Sequence, residues 1–137
     1  MWIFFAFGSA FFAGITAILA KCGIRKTDSD MATAVRTIVV LIFAWIMVWI
    51  AGSAHDITAL SAKTWVFLVL SGLATGASWL CYYKALQDGP ASAVVPIDKL
   101  SILVSIAFSF FVFKERLSKK AAAGLVLIVA GTMMMLV

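Results

Sequence analysis

The sequence predicts an all-α integral membrane protein with five transmembrane helices, and three observations carry that expectation. Of 137 residues, 64% are hydrophobic and only 12% charged, against roughly 45–50% and 25% in an ordinary soluble domain. Mean hydropathy is +1.11. Charge-free runs at 2–20, 37–54, 64–83 and 121–137 each approach the ~20 apolar residues that cross a hydrocarbon core about 30 Å thick. A fifth run, 91–113, is long enough but contains Asp98 and Lys99. Five spans fill the chain, which leaves no room for a separate soluble catalytic domain.

The first helix is expected at about 2–22. Its apolar run lacks a basic leading segment and a clear small-residue cleavage site and exceeds a signal-peptide core, so it is expected to remain as a span. The second is expected at about 30–53, behind the capping candidates Thr27, Asp28, Ser29 and Asp30. The long loop after it holds His55 and Asp56, expected to be solvated and without a role.

The third helix is expected at about 64–86. Ser71, Thr75, Ser78 and Tyr82 fall within an arc of about 60° on it, beside the small pair Gly72 and Gly76 and followed by Trp79. Asp88, Gly89 and Pro90 form the turn that opens the fourth helix, at about 91–113. Inside it Pro96 removes a backbone donor and strands the carbonyl of Ser92, so a kink is expected there. Asp98, Ser101, Ser105 and Ser109 share an arc of about 80°. The fifth helix, about 119–137, follows the cap candidate Ser118 and is apolar all round, with Gly124 and Gly131 on one face for close helix packing. No internal repeat or linker divides residues 1–137, which are expected to form one transmembrane domain.

The net charge of +5 sits in short clusters between apolar runs, at Lys21, Arg25 and Lys26 and at Lys114, Arg116, Lys119 and Lys120. Such clusters suit lipid headgroups rather than nucleic acid. Cys22 and Cys81 have neither C-x-x-C spacing nor a His/Cys cluster around them, so no disulfide and no metal site are expected. No nucleophile–base pair, phosphate-cradling loop or redox motif is present, and neither an enzyme nor a cofactor is expected.

Five spans place Lys63, Lys114, Arg116, Lys119 and Lys120 on one face. The other face carries Lys21, Arg25 and Lys26, plus Arg36, Lys84 and Lys99 if residues just inside helix ends are counted. Lys/Arg asymmetry fixes orientation, and here it is small. Either the Lys114–Lys120 cluster alone holds one orientation, or the chain inserts both ways. Dual insertion is the expectation, and two opposed copies would form a ten-helix inverted-topology dimer, an architecture many secondary transporters build from internal repeats.

Ionisable groups inside a span cost about 2.5–3.5 kcal/mol each on insertion scales, so Arg36, Asp98 and Lys99 need partners or water. Arg36 and Asp98 each lie roughly 10 Å from the same face at 1.5 Å per residue, a depth at which they could pair. Adjacent Asp98 and Lys99 could equally pair with each other. The hydroxyl stripes serve either helix packing or a cavity, and the buried carboxylate favours a cavity.

The run from Lys84 through Pro90, Pro96 to Ser101, Phe113 to Ser118, and the Gly124 and Gly131 pair resemble the second half of an EamA domain, which defines much of the drug/metabolite transporter superfamily. Lys21 closing the first helix and Arg36 opening the second fit the first half. The Glu115, Arg116, Leu117 turn before a Gly-rich last helix is the most specific feature, and it is also similar to the turn of the smaller four-helix multidrug-resistance proteins. Most members carry two such domains in inverted orientation, so this half-size chain implies a dimer with itself or with a paralogous half-transporter. The resemblance implies export or exchange of small metabolites or drugs across a bacterial inner membrane.

The expectation is therefore an antiparallel homodimer that moves a small-molecule substrate across the lipid bilayer by alternating access. Trp79, Tyr82, Ser101 and Ser105 are expected to line its cavity, with Arg36, Asp98 and Lys99 as gating or coupling charges. One rival is a flippase for a lipid-linked headgroup, with phosphate captured by Arg36 and Lys99. Another is a non-transporting accessory membrane subunit.

Overall fold

A computed structural model describes residues 1–137 as helices joined by short turns, with no strand. Helices α1 (Trp2–Gly23), α2 (Ser29–Ala51) and α3 (Ala62–Asp88) are continuous. The fourth span is made of two helices, α4 (Ala91–Asp98) and α5 (Ser101–Phe113), and α6 (Lys119–Leu136) is the last. Five stretches, with α4 and α5 counted together, are long and apolar enough to cross a membrane. At 1.5 Å per residue the shortest, α6, extends about 27 Å and the longest, α3, about 40 Å.

Side-chain exposure is inverted relative to a soluble domain. Phe4, Trp49 and Phe111 are 79%, 78% and 77% exposed, while the few buried residues include Ser29, Thr33 and Thr132. Lipid solvates apolar faces at no cost, but every polar group must be satisfied internally. Threonines on the helices accordingly return their hydroxyls to carbonyls one turn back: Thr16 to Phe12 at 2.7 Å, Thr33 to Ser29 at 2.8 Å, Thr37 to Thr33 at 2.7 Å, Thr75 to Ser71 at 2.8 Å and Thr132 to Ile128 at 2.9 Å.

The chain divides into two compact units, Met1–Ile18 with Asp88–Val137, and Leu19–Gln87. In the second unit, α2 begins where the Asp28 carboxylate accepts the Met31 N–H at 3.3 Å. It ends in a Schellman turn, with Gly52 left-handed at φ 70°, its N–H on the Trp49 carbonyl at 3.1 Å and the Ser53 N–H on Val48 at 3.2 Å. The following loop, read from sequence as irregular, contains a 3-10 helix over Ala54–Ala59.

The end of α3 is tied to the end of α1 and to the turn that leads into α2. Gln87 Nε2 donates to the carbonyls of Thr27 at 2.8 Å and Ile24 at 3.3 Å in that turn, and Lys21 Nζ donates to the Leu86 carbonyl. The last carbonyls of a helix have no partner of their own and carry partial negative charge, so a lysine is an apt ligand for that of Leu86. The end of α3 thus lies beside the residues that precede α2, and the two helices run antiparallel from there.

In the first unit α4 packs against α6. The Ser118 hydroxyl caps α6 by accepting the Ala121 N–H at 3.1 Å. Pro96 lies within α4, and the regular helix gives way not at the proline but after Asp98. There Leu100 N–H bonds Ile97 at 2.9 Å, Ile102 bonds Lys99 at 3.1 Å and Leu103 bonds Leu100 at 3.0 Å. This tightened i→i−3 turn absorbs the mismatch that the proline ring introduces one turn earlier. A Cβ built at Gly72, Gly76, Gly124 or Gly131 would meet nothing within 4 Å. Within the chain, then, none of these glycines stands at a close helix crossing.

Candidate functional site

In the unit Leu19–Gln87, the guanidinium carbon of Arg36 lies 4.4 Å from the centroid of the Trp79 ring and 5.3 Å from that of Tyr83. Register explains the meeting. Arg36 is seven residues past Ser29, about 10 Å along α2, while Tyr83 and Trp79 are about 8 and 14 Å before the end of antiparallel α3. Trp79 and Tyr83 are four apart and share a face of α3, so the cation enters between the levels of the two rings. Aromatic faces carry negative potential and need no water, which makes them suitable hosts for a guanidinium inside a membrane.

That environment satisfies only part of the group. Arg36 Nη1 and the Tyr83 hydroxyl are both buried without a hydrogen-bond partner, and Tyr83 is 2% exposed. The hydroxyls of Thr33 and Thr37 donate to carbonyls of their own helix, and neither oxygen accepts from Arg36 Nη1. A buried orphan donor costs about 1–3 kcal/mol, more when charged, so the site is poised for an acceptor.

The sequence-based candidates are thus distributed unevenly. Arg36 and Trp79 are brought into contact. Tyr82 is half-buried, its ring 5.9 Å from and tilted to that of Tyr83, but it is Tyr83 that meets the cation. In the other unit Asp98 closes α4, Lys99 lies in the break, Ser101 begins α5 and Ser105 follows one turn on. Tyr83 was missed because an idealised stripe through Ser71, Thr75 and Ser78 points at Tyr82; the four-residue spacing to Trp79, counted from Arg36 across the pair, would have found it.

A second polar junction closes α5. Lys114 adopts the left-handed conformation at φ 55°, the Glu115 N–H reaches the Ser109 carbonyl at 3.4 Å, and the Ser109 hydroxyl donates to the Glu115 carboxylate. The last member of the α5 hydroxyl stripe is therefore engaged in its own helix end. Ser109 and Glu115, together with Ile106, Phe110, Arg116 and Leu117, border a hollow of about 310 Å³. No group of His, Cys, Asp and Glu has the composition to hold a metal ion.

A sequence model described as the EamA-like transporter family matches residues 1–137. A Sinorhizobium protein named as an uncharacterized transporter in the cobO 3′ region is 42% identical over 136 residues, covering 99% of this chain and 96% of that protein. An uncharacterized Methanocaldococcus jannaschii protein is 28% identical over 103 residues, covering 69% of this chain and 75% of its own. A probable 4-amino-4-deoxy-L-arabinose-phosphoundecaprenol flippase subunit, ArnE, of Pseudomonas aeruginosa is 32% identical over 87 residues, covering 64% of this chain and 74% of its own. No solved structure matches the chain.

Proposed function

The chain belongs to the EamA-like transporter family as a multi-pass membrane protein, and from that premise we propose that it moves a small metabolite or drug across a bacterial inner membrane by alternating access. The observation that carries this reading is the whole-length match to a transporter family by a chain with a single set of five spans. A relative of nearly equal length carries a transporter name.

Transport by five helices calls for a second set. The small Lys/Arg asymmetry supports opposed copies of the same chain, and glycines on α3 and α6 with open space around them support helix contacts beyond the chain. Arg36, Trp79 and Tyr82 in one unit and Ser101 and Ser105 in the other are the proposed substrate contacts, and Asp98 and Lys99, at the break in the fourth span, are the proposed gating charges. Broken helices in transporters tend to lie where substrate and ions bind.

A second reading, a flippase for a lipid-linked headgroup, is favoured by the similarity to ArnE and by the unpartnered Arg36 cation. The purified chain reconstituted alone in liposomes separates the readings. Counterflow of a soluble metabolite supports transport and scrambling of a lipid headgroup supports the flippase. Neither, with correctly folded protein, leaves an accessory subunit and contradicts both.

A further inference from the structure

We infer that the stacked trio of Arg36, Trp79 and Tyr83 is an oxyanion site, which grips a phosphoryl or carboxylate group of the transported molecule. The inference rests on the transport reading and narrows it, because it names a negatively charged substrate class.

Arg36 Nη1 is a donor only, and it is buried without a partner. The Tyr83 hydroxyl, buried in the same stack, can donate or accept and has no partner. A buried cationic donor beside a hydroxyl able to donate is complemented by an acceptor of negative charge and not by a cation or an apolar solute. The guanidinium carbon lies 4.4 Å from the Trp79 ring centroid and 5.3 Å from that of Tyr83, and these contacts leave Nη1 without a hydrogen-bond acceptor. A guanidinium's planar fork suits carboxylate or phosphate oxygens, which accept in pairs.

The surroundings keep the site set rather than adaptable. The hydroxyls of Thr33 and Thr37 donate to α2 carbonyls, and neither oxygen accepts from Arg36 Nη1. One turn beyond Tyr83, Lys21 and Gln87 lock α3 to the residues that precede α2. The donors are thus held before any ligand arrives, which lowers the ordering cost of binding.

The test uses the full chain in dodecyl maltoside, a phosphate-free detergent, with Trp2→Phe, Trp45→Phe, Trp49→Phe and Trp65→Phe so that Trp79 alone reports. Inorganic phosphate and dioctanoyl phosphatidate are the anionic probes and choline chloride the cationic one. Saturable change in Trp79 emission is expected with the anions and not with choline. Arg36→Gln should raise the half-saturating phosphate about tenfold or more, and Tyr83→Phe, which keeps the ring and loses only the hydroxyl, about fivefold. Tighter binding of the phosphatidate assigns the oxyanion to a lipid headgroup, and tighter binding of free phosphate assigns it to a soluble substrate; both support the inference.

If Arg36→Gln disrupts folding, judged by its size-exclusion profile, Tyr83→Phe decides alone. No saturable response to either anion, or half-saturation unchanged in folded Tyr83→Phe and Arg36→Gln proteins, would overturn the inference. Its failure is distinct from failure of the transport reading. Counterflow of a cation without anion binding removes the oxyanion site and leaves a transporter, whereas anion binding without any solute movement does the reverse.

Discussion

The Arg36 guanidinium lies over the Trp79 ring at 4.4 Å, a contact between α2 and α3 that lets a permanent charge reside inside an apolar unit. Cation–π attraction is worth about 0.5–2 kcal/mol, the larger values where water is excluded. The contact should therefore appear as coupling. Thermal unfolding of Arg36→Gln, Trp79→Leu and the double variant, followed by loss of monodisperse protein, is expected to show an interaction energy of about 1 kcal/mol. Additive losses would mean that the two side chains are merely neighbours.

Left-handed backbone at two helix ends gives a paired prediction. Gly52 at φ 70° suits its residue type, whereas Lys114 at φ 55° does not. Gly52→Ala should destabilise by about 1 kcal/mol, and Lys114→Gly should stabilise by a similar or smaller amount. Heat-induced aggregation midpoints of the two variants should move in opposite directions.

The Ser109 and Glu115 side chains close the end of α5 together. Ser109→Ala and Glu115→Ala should each increase protease cleavage within residues 114–118, and the double variant should be little worse than either, because one hydrogen bond is lost in all three. Summed effects would show that the residues act separately.

Much of this arrangement was legible beforehand because hydropathy and capping are local signals. Asp28 and Ser118 cap where their position before an apolar run suggested, and all five spans follow from run length. What failed to be legible depends on how two helices meet. Tyr83 rather than Tyr82 receives Arg36 because the rotation of α3 against α2 decides which ring faces inward, and an isolated stripe carries no such reference. The break fell at Lys99 and Leu100 rather than Pro96, since a proline dislocates its own preceding turn while the backbone distributes the correction downstream. The Gly124 and Gly131 spacing identified a face open to close approach without saying whether its partner lies in the same chain.

Asp98, placed at the end of α4 just before the break, is expected to be needed for transport. Asp98→Asn keeps the shape and removes the charge. Reconstituted at equal protein amount, it should retain substrate binding but lose pH-dependent uptake, because the carboxylate can exchange a proton and the amide cannot. Wild-type rates across the pH range would remove Asp98 from the mechanism.

Two oppositely inserted copies are proposed to complete one transport path, and side-specific labelling of the C-terminus reads their orientation. Cys22 and Cys81 are free and exposed, so the measurement starts from Cys22→Ser and Cys81→Ser with Val137→Cys added. An impermeant maleimide applied to intact cells should label one population, and the remainder should become reactive only after the membrane is opened. Labelling confined to one side in every molecule would contradict opposed insertion.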